Sequence, residues 1–359
     1  MKNNRFNNIF FKSIIVSFFL ALLFTSCKPA NERILTRDFP QNINLKAKKI
    51  PVKKVLNPVD IILTDNHFIF QNDHTSGEDC YYVFDKEMRF CYSFGRLGSG
   101  PNEFIAPRGV YGKRKENQFL IFDSASDKIF EYKLGDEKPV FISETKIVDV
   151  MYPTQYLSKV NDSILIYQVN DNQGCALYSY HLFDKVVVDT LQFNTPFKEE
   201  MGANYNPNMD DFQCWEENSI ILFTFSYIDE VKTGKVLPDG KFSVDRDLSS
   251  PCTMNSTTKM DENIAYYMFP KITEKRLYAH YYGYPFLYMQ PFPFNKYGRI
   301  FNFLIEVYDL DKKPIARLTL DSDILKFVVD EENQKIYTWD FLDDFDYLLE
   351  YDISCLNSL

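Results

Sequence analysis

Phe94-Gly95-Arg96-Leu97-Gly98-Ser99-Gly100-Pro101-Asn102-Glu103-Phe104 is the run from which the architecture of this chain is read. Three glycines and a proline close together make a fixed turn, not a strand or a helix. The run sits between two aromatic, strand-like segments, and segments of that kind recur to both ends of the chain.

Three marks repeat in order. The first is a short apolar strand: Phe68-Ile69-Phe70, Phe119-Leu120-Ile121-Phe122, Ile164-Leu165-Ile166-Tyr167, Ile220-Ile221-Leu222-Phe223, Arg276-Leu277-Tyr278 and Lys335-Ile336-Tyr337-Thr338-Trp339. The second is a strand ending near an aromatic and a polar residue, as in Val83-Phe84-Asp85, Val307-Tyr308-Asp309 and Glu350-Tyr351-Asp352, with Lys235-Val236-Leu237 a poorer copy. A hairpin strand follows, such as Arg89-Phe90-Cys91-Tyr92. One further extended piece precedes each first mark, such as Val59-Asp60-Ile61-Ile62-Leu63. Each unit therefore holds about four strands and no helical period. Six units of roughly 45 to 60 residues fill the chain, the length of a propeller blade. A blade cannot bury both faces alone, but a closed ring of blades can. The prediction is an all-β, six-bladed β-propeller. A β-sandwich explains the strands but not the six-fold recurrence.

The quoted run resembles the FGxxGxGPxEF signature of the six-bladed, TolB-like β-propeller lipoproteins of Bacteroidetes. Asn102 stands where glycine is frequent and still tolerates positive φ. The resemblance implies the propeller and a lipid anchor; members of this family mostly lack an assigned activity.

The N-terminus reads as a targeting signal. Lys2, Arg5 and Lys12 precede an apolar core, Ser13–Phe24, too short to span a bilayer comfortably. It runs into Leu23-Phe24-Thr25-Ser26-Cys27, which resembles a bacterial lipobox, although Phe24 stands where an aliphatic residue is commoner. An ordinary secretory signal with an incidental cysteine is the alternative. The expected organisation is a signal peptide over 1–26, a lipidated tether over 27–42 and the propeller over 43–359. Lipid on Cys27, palmitate included, would hold the mature chain on a membrane of the cell envelope. The acidic run that marks surface export in lipoproteins of this kind is missing from Lys28-Pro29-Ala30-Asn31-Glu32-Arg33. A periplasm-facing anchor is therefore expected, in the outer rather than the inner membrane.

The last unit lacks an outer strand, since only a short polar tail follows Asp352. The segment Ile43–Val55 has no blade of its own, and its apolar residues partly alternate. It is expected to pair with Tyr347–Asp352 and close blade 6. Removing 28–38 is expected to matter little.

The formal net charge is −10 and grows more negative once the three basic residues of the signal are removed. An acidic chain without a basic block argues against nucleic acid. Aromatic content is high, with 33 Phe and 24 Tyr, which suits packed strands. A monomer is expected. Six cysteines besides Cys27 are too few for a disulfide scaffold. Cys80 and Cys91 face each other if a two-residue turn forms about Asp85-Lys86. A bulge at Met88 would separate them.

A phosphate cradle would need a helix directly after the glycines. Pro101 and Pro107 follow instead. Gly95, Gly98, Gly100, Pro101 and Glu103 are therefore read as a structural turn, with Glu103 accepting backbone N–H bonds. Blade strand order puts Gln71–Asp79, Gly95–Ala106, Asn194–Asn208, Ser249–Asn263 and Ala279–Asn302 at one end of the ring. Long loops on one face of a rigid ring are where ligands bind. Tyr284, Phe286 and Tyr288 in the longest insertion are candidate contacts for a peptide, protein or glycan, or else part of a self-packed lid.

No catalytic constellation emerges. His67, His74, His181 and His280 form no close ligand pair. Asp343-Asp344-Phe345-Asp346 and Asp210-Asp211 match no calcium loop, so no metal site is assigned, and Ca²⁺ is the one cofactor left in view. Two functions follow: a non-catalytic binding or scaffold protein, or a metal-assisted hydrolase or lyase drawing on Asp60, Arg108, Gln155 and Asp211 in the central channel.

Overall fold

A computed structural model of the chain describes residues 33–54, 57–73, 79–100, 103–113, 117–147, 157–171, 174–193, 211–215, 219–225, 229–244, 264–285, 303–322, 324–340 and 345–359. Six sheets follow one another around a ring as its blades. Their inner strands are Pro58–Leu63, Pro107–Lys113, Leu157–Lys159, Asp211–Trp215, Ile264–Ile272 and Ile324–Asp330. The first and last of these touch, so the ring is closed.

The apolar runs recognised in the sequence are the second strand of every blade. They are apolar on both faces because each blade is sandwiched between two neighbours. In His67–Asn72, Phe68 and Phe70 pack with Tyr337, Trp339 and Leu348 of blade 6, while Ile69 packs with Phe119 and Ile121 of blade 2. This is a continuous run rather than an alternating one, as expected of a strand buried on both sides.

Four antiparallel strands per blade sort the connections to two ends. Every connection from first to second and from third to fourth strand spans at most six residues, as in 64–66, 86–89, 182–185 and 310–313. The opposite end carries the long segments, including 194–210 and 286–303. The loop polarity read from the sequence therefore holds.

Closure uses two N-terminal strands. Lys48–Pro51 pairs antiparallel with Tyr347–Asp352, with Ile50 opposite Leu348, and completes blade 6 as expected. The first half of the same run does something else. Asn42–Leu45 pairs in parallel with Pro314–Leu320 and adds a fifth strand to blade 5. The broken alternation at Ala47-Lys48 marks the crossing between blades. The tail ends in a short 3₁₀ turn, Ser354–Ser358, which buries Leu356.

The polar residue closing the third strand has a specific role. In blade 1, Asp85 Oδ1 accepts the N–H groups of Glu87 (3.0 Å) and Arg89 (2.8 Å). Met88 then takes φ 59° and the ladder slips between Val83 and Phe84. Asp309 repeats the arrangement, with Lys312 at φ 66° and a slip between Val307 and Tyr308. A type I turn followed by a left-handed residue makes a bulged hairpin.

The longer turn, together with its bulge, overturns the proposed Cys80–Cys91 bond. Tyr81 pairs with Phe94 and Asp79 with Arg96, which places Cys80 well away from Cys91 along the ladder. Both are free thiols, Cys80 buried and Cys91 exposed. Burial and the nearby Asp79 carboxylate push the Cys80 thiol up to about 11. In native protein at mild pH, iodoacetamide should modify Cys91 and Cys355 while sparing Cys80 and Cys214. Mass spectrometry of tryptic peptides reads this directly, and rapid labelling of Cys80 would refute the placement.

Candidate functional site

The glycine turn is a bolt between blades 1 and 2. Glu103–Phe104 lies parallel to Arg96–Leu97 and extends blade 1 by a fifth strand. Gly98 N–H donates to the Phe104 carbonyl (2.9 Å), and Glu103 Oε2 accepts the Gly100 N–H (2.8 Å). The turn thereby sets Phe104 edge-on to Phe130 of blade 2 and to Tyr81, at 1% exposure. A Cβ on Gly98 would collide with Glu103 Oε2, and one on Gly95 (φ +78°) would lie 2.7 Å from the Phe104 ring. Gly98→Ala and Gly95→Ala should each cost about 1–3 kcal/mol, the usual penalty for crowding and forced backbone. Urea denaturation checks this, and an unchanged midpoint for both would reject it. Pro101 and Asn102 lie outside the described residues.

The densest polar cluster among the described residues was not foreseen from the sequence. It is built where residues 33–41 enter the cleft between blades 4 and 5. Glu306, wholly buried on the third strand of blade 5, is bridged by Arg317 of the fourth strand (2.7 Å). Its other oxygen accepts the hydroxyls of Tyr267 (2.7 Å) and Tyr308 (2.6 Å). Arg37 reaches down into this group, donating to the Tyr267 and Tyr308 hydroxyls and to the Asp229 carbonyl of blade 4. Burial opposes the charge on Arg37, but Tyr267, Tyr308 and Asp229 outweigh it and hold the guanidinium protonated. Burial first, and then Glu306, push the Tyr308 phenol up, so it serves as a neutral donor. One strand-turn further, Phe39 fills an apolar slot formed by Leu222 of blade 4 and Ile272, Leu277 and Tyr308 of blade 5. Residues 33–41, expected to be part of a tether, are thus a strap pegged by Arg37 and Phe39. Removal of 28–38 takes the Arg37 peg away and is no longer expected to be silent.

At the long-loop end the strap rests on the second strand of blade 5, Arg276–Pro285. Ile34 N–H donates to the Gly283 carbonyl (2.8 Å) and the Tyr281 hydroxyl donates to the Ile34 carbonyl (2.7 Å). Gly283 has φ +70°, and a Cβ there would meet the Ile34 oxygen at 2.7 Å. Tyr284, a candidate ligand contact, is buried, with the Arg33 guanidinium 4.9 Å above its ring and Tyr282 edge-on at 5.4 Å. This strand therefore presents Tyr284 to the strap rather than to open solvent. Phe286 and Tyr288 lie outside the described residues, as do Cys27 and the aspartates of the 343–344 and 210 positions.

In the channel, Asp60 on the inner strand of blade 1 is joined to Lys326 on that of blade 6 (2.7 Å). The side chains of Arg108, Gln155 and Asp211 lie outside the described residues. Among the described residues no group of three or more His, Cys, Asp or Glu is gathered as metal ligands would be. His280 is fully buried and stacked on Phe303 at 3.6 Å between centroids; burial and Arg33 keep its imidazole neutral. His181 accepts the Asp184 N–H within a hairpin turn.

A second surface feature lies at the short-turn end, on the outer strands of two neighbouring blades. Blade 2 begins its outer strand with Val140, Phe141 and Ile142, and blade 3 carries Phe183 in the turn and Val186 and Val187 at the start of its outer strand. All six are exposed, Phe183 at 73%. These are edge strands, with apolar side chains where natural edges usually carry charge. Sequence reasoning missed this rim because exposed and buried β-branched runs look alike.

Comparison with known proteins agrees with the architecture. The profile of a family described as DUF5128, 6-bladed beta-propeller, matches residues 54–282. A Bacteroides fragilis protein described as exported superposes with a TM-score of 0.54 at 13% identity, covering 88% of this chain and 96% of that one. A member of the DUF4221 family from Bacteroides vulgatus gives 0.51 at 14% identity, covering 85% of this chain and 97% of its own. At these identities the likeness is one of fold. No curated protein matches the chain in sequence.

Proposed function

Since the chain belongs to the DUF5128 family of six-bladed β-propellers, we propose that it is a lipid-anchored, non-catalytic binding or scaffold protein of the cell envelope, of the TolB-like lipoprotein kind. The observation that carries the binding role is the apolar rim of Val140, Phe141, Ile142, Phe183, Val186 and Val187. Apolar side chains left in water on two neighbouring edge strands are the feature that a protein partner would cover. The partner is accordingly an envelope protein rather than a glycan, docking on the outer edge of blades 2 and 3. Lipid on Cys27 supplies the anchor, and the missing acidic run after Cys27 favours the periplasmic side of the outer membrane. The buried charges support a scaffold: Glu306–Arg317, Lys86–Asp330 and Arg276–Glu331 are all bound into blade packing.

A photo-crosslinking amino acid in place of Phe183, in cells producing the full chain, should yield one protein adduct of constant mass. The adduct should disappear when Phe141→Asp is added. Absence of any adduct from positions 141 and 183 would overturn the rim as a docking surface. Mass spectrometry of the mature protein should show a lipidated Cys27, and Cys27→Ser should release the chain from the membrane fraction. An unmodified N-terminus elsewhere would remove the anchor from the proposal.

A further inference from the structure

The strap gives the ring a direction. Residues 33–36 are seated at Gly283 and Tyr281, near the end of Arg276–Pro285 that leads into the long loops. From there the strap descends along the cleft to Arg37 and Phe39, and the chain returns up the outside of blade 5 as Asn42–Leu45. Arg33, where the described chain begins, therefore lies at the long-loop end and not at the short-turn end.

Chain length turns this into a constraint. Six links separate Arg33 from Cys27, which reach at most ~21 Å when fully extended. The strand from Gly283 back to Arg276 alone covers ~23 Å at the usual rise per residue. A lipid on Cys27 can therefore lie beyond the long-loop end, but the tether cannot carry it past the short-turn end. The strap pegged by Arg37 and Phe39 leaves only those six links between the ring and its anchor.

We infer that the long-loop end of the propeller is held against the phospholipid surface that carries the anchor, with the short-turn end and its apolar rim turned away into the aqueous space. This rests on the lipidation of Cys27 proposed above. It deepens that reading by assigning the two ends of the ring different neighbours: lipid headgroups at the end bearing Ile105, and the envelope protein partner at the end bearing Phe183.

The test uses the full, lipidated chain in vesicles of phosphatidylethanolamine and phosphatidylglycerol that carry a nitroxide on the headgroup. A fluorescent amino acid is placed at one of three exposed positions: Leu35 on the strap, Ile105 in the connection from blade 1 to blade 2, or Phe183. The expected result is strong quenching at Leu35 and Ile105 and little at Phe183. A long Gly-Ser linker inserted between Asn31 and Glu32 should restore the fluorescence at Ile105 without removing the lipid. Quenching at Leu35 with no difference between Ile105 and Phe183 would overturn the orientation while leaving the anchor intact. No quenching at Leu35 would overturn the anchor and the orientation with it. Quenching at Ile105 that survives the linker would show that something other than the strap sets the orientation, and would overturn the inference as argued.

Discussion

Deletion of residues 42–51 should abolish cooperative folding of the whole ring. This run supplies the outer strand of blade 6 and a fifth strand of blade 5. It also contributes Leu45 to the blade 5–blade 6 core, with Ile43 and Ala47 packed against it, and Ile50 to the core between blades 6 and 1. Whole domains are stable by only about 5–15 kcal/mol, and losing two strand edges together with these side chains is expected to consume most of that. Leu45→Ala alone should cost about 2–4 kcal/mol as a buried truncation. Far-ultraviolet circular dichroism through a urea titration reads both variants. A deletion variant that unfolds in one transition at the wild-type midpoint would show that the ring closes without its N-terminal strands.

Arg317→Met should be the most damaging conservative-volume substitution, at about 3–5 kcal/mol, because breaking a buried ion pair strands its partner. Arg317 side-chain exposure is 6% and that of Glu306 is 0%, so water cannot replace the lost partner. Arg317 also donates to the Arg37 carbonyl (3.0 Å), and the strap would loosen with it. Adding Glu306→Gln should recover part of the loss, since the amide needs no counter-charge and still accepts from Tyr267 and Tyr308. A loss under about 1 kcal/mol for Arg317→Met, the level of an exposed pair, would mean that the site is wetter than its burial implies. Failure of the double variant to improve on the single one would show that packing, not charge, dominates there.

Much of this fold was legible because it repeats. Phe68-Ile69-Phe70 and its five counterparts are largely apolar on both faces, as a strand covered on both sides requires, and they recur six times. The glycines of the 94–104 run were legible for a related reason: Glu103 folds back on Gly98 and Gly100, and a side chain at either would push its carboxylate aside. The candidate site was much less legible. Tyr284 looked like a ligand contact because an aromatic in a loop-rich stretch has no local signature of burial; only the strap, some 250 residues earlier in the chain, covers it. Cys80 and Cys91 oppose each other only across a two-residue turn about Asp85-Lys86, and the turn that forms is longer and has Met88 at positive φ. Asp85 was visible, yet its effect on register depended on the turn it makes.

The sequence by itself determined the number of blades, the strand order within each and the end of the ring that holds the long loops. These follow from local patterning and from an even number of antiparallel strands per unit, which any closed ring must respect. Only the tertiary structure decided where residues 33–45 go, whereas the pairing of Lys48–Pro51 with Tyr347–Asp352 was already legible. Arg37, Phe39 and Ile43 carry no periodic mark of the partners they find, because what they recognise exists only after blades 4, 5 and 6 have assembled. The cleft that takes Arg37 is made of Tyr267, Tyr308, Glu306 and Asp229 from two blades. Its selectivity for a guanidinium comes from burying a carboxylate and two phenols together, a property of their convergence in space that no stretch of the chain holds alone.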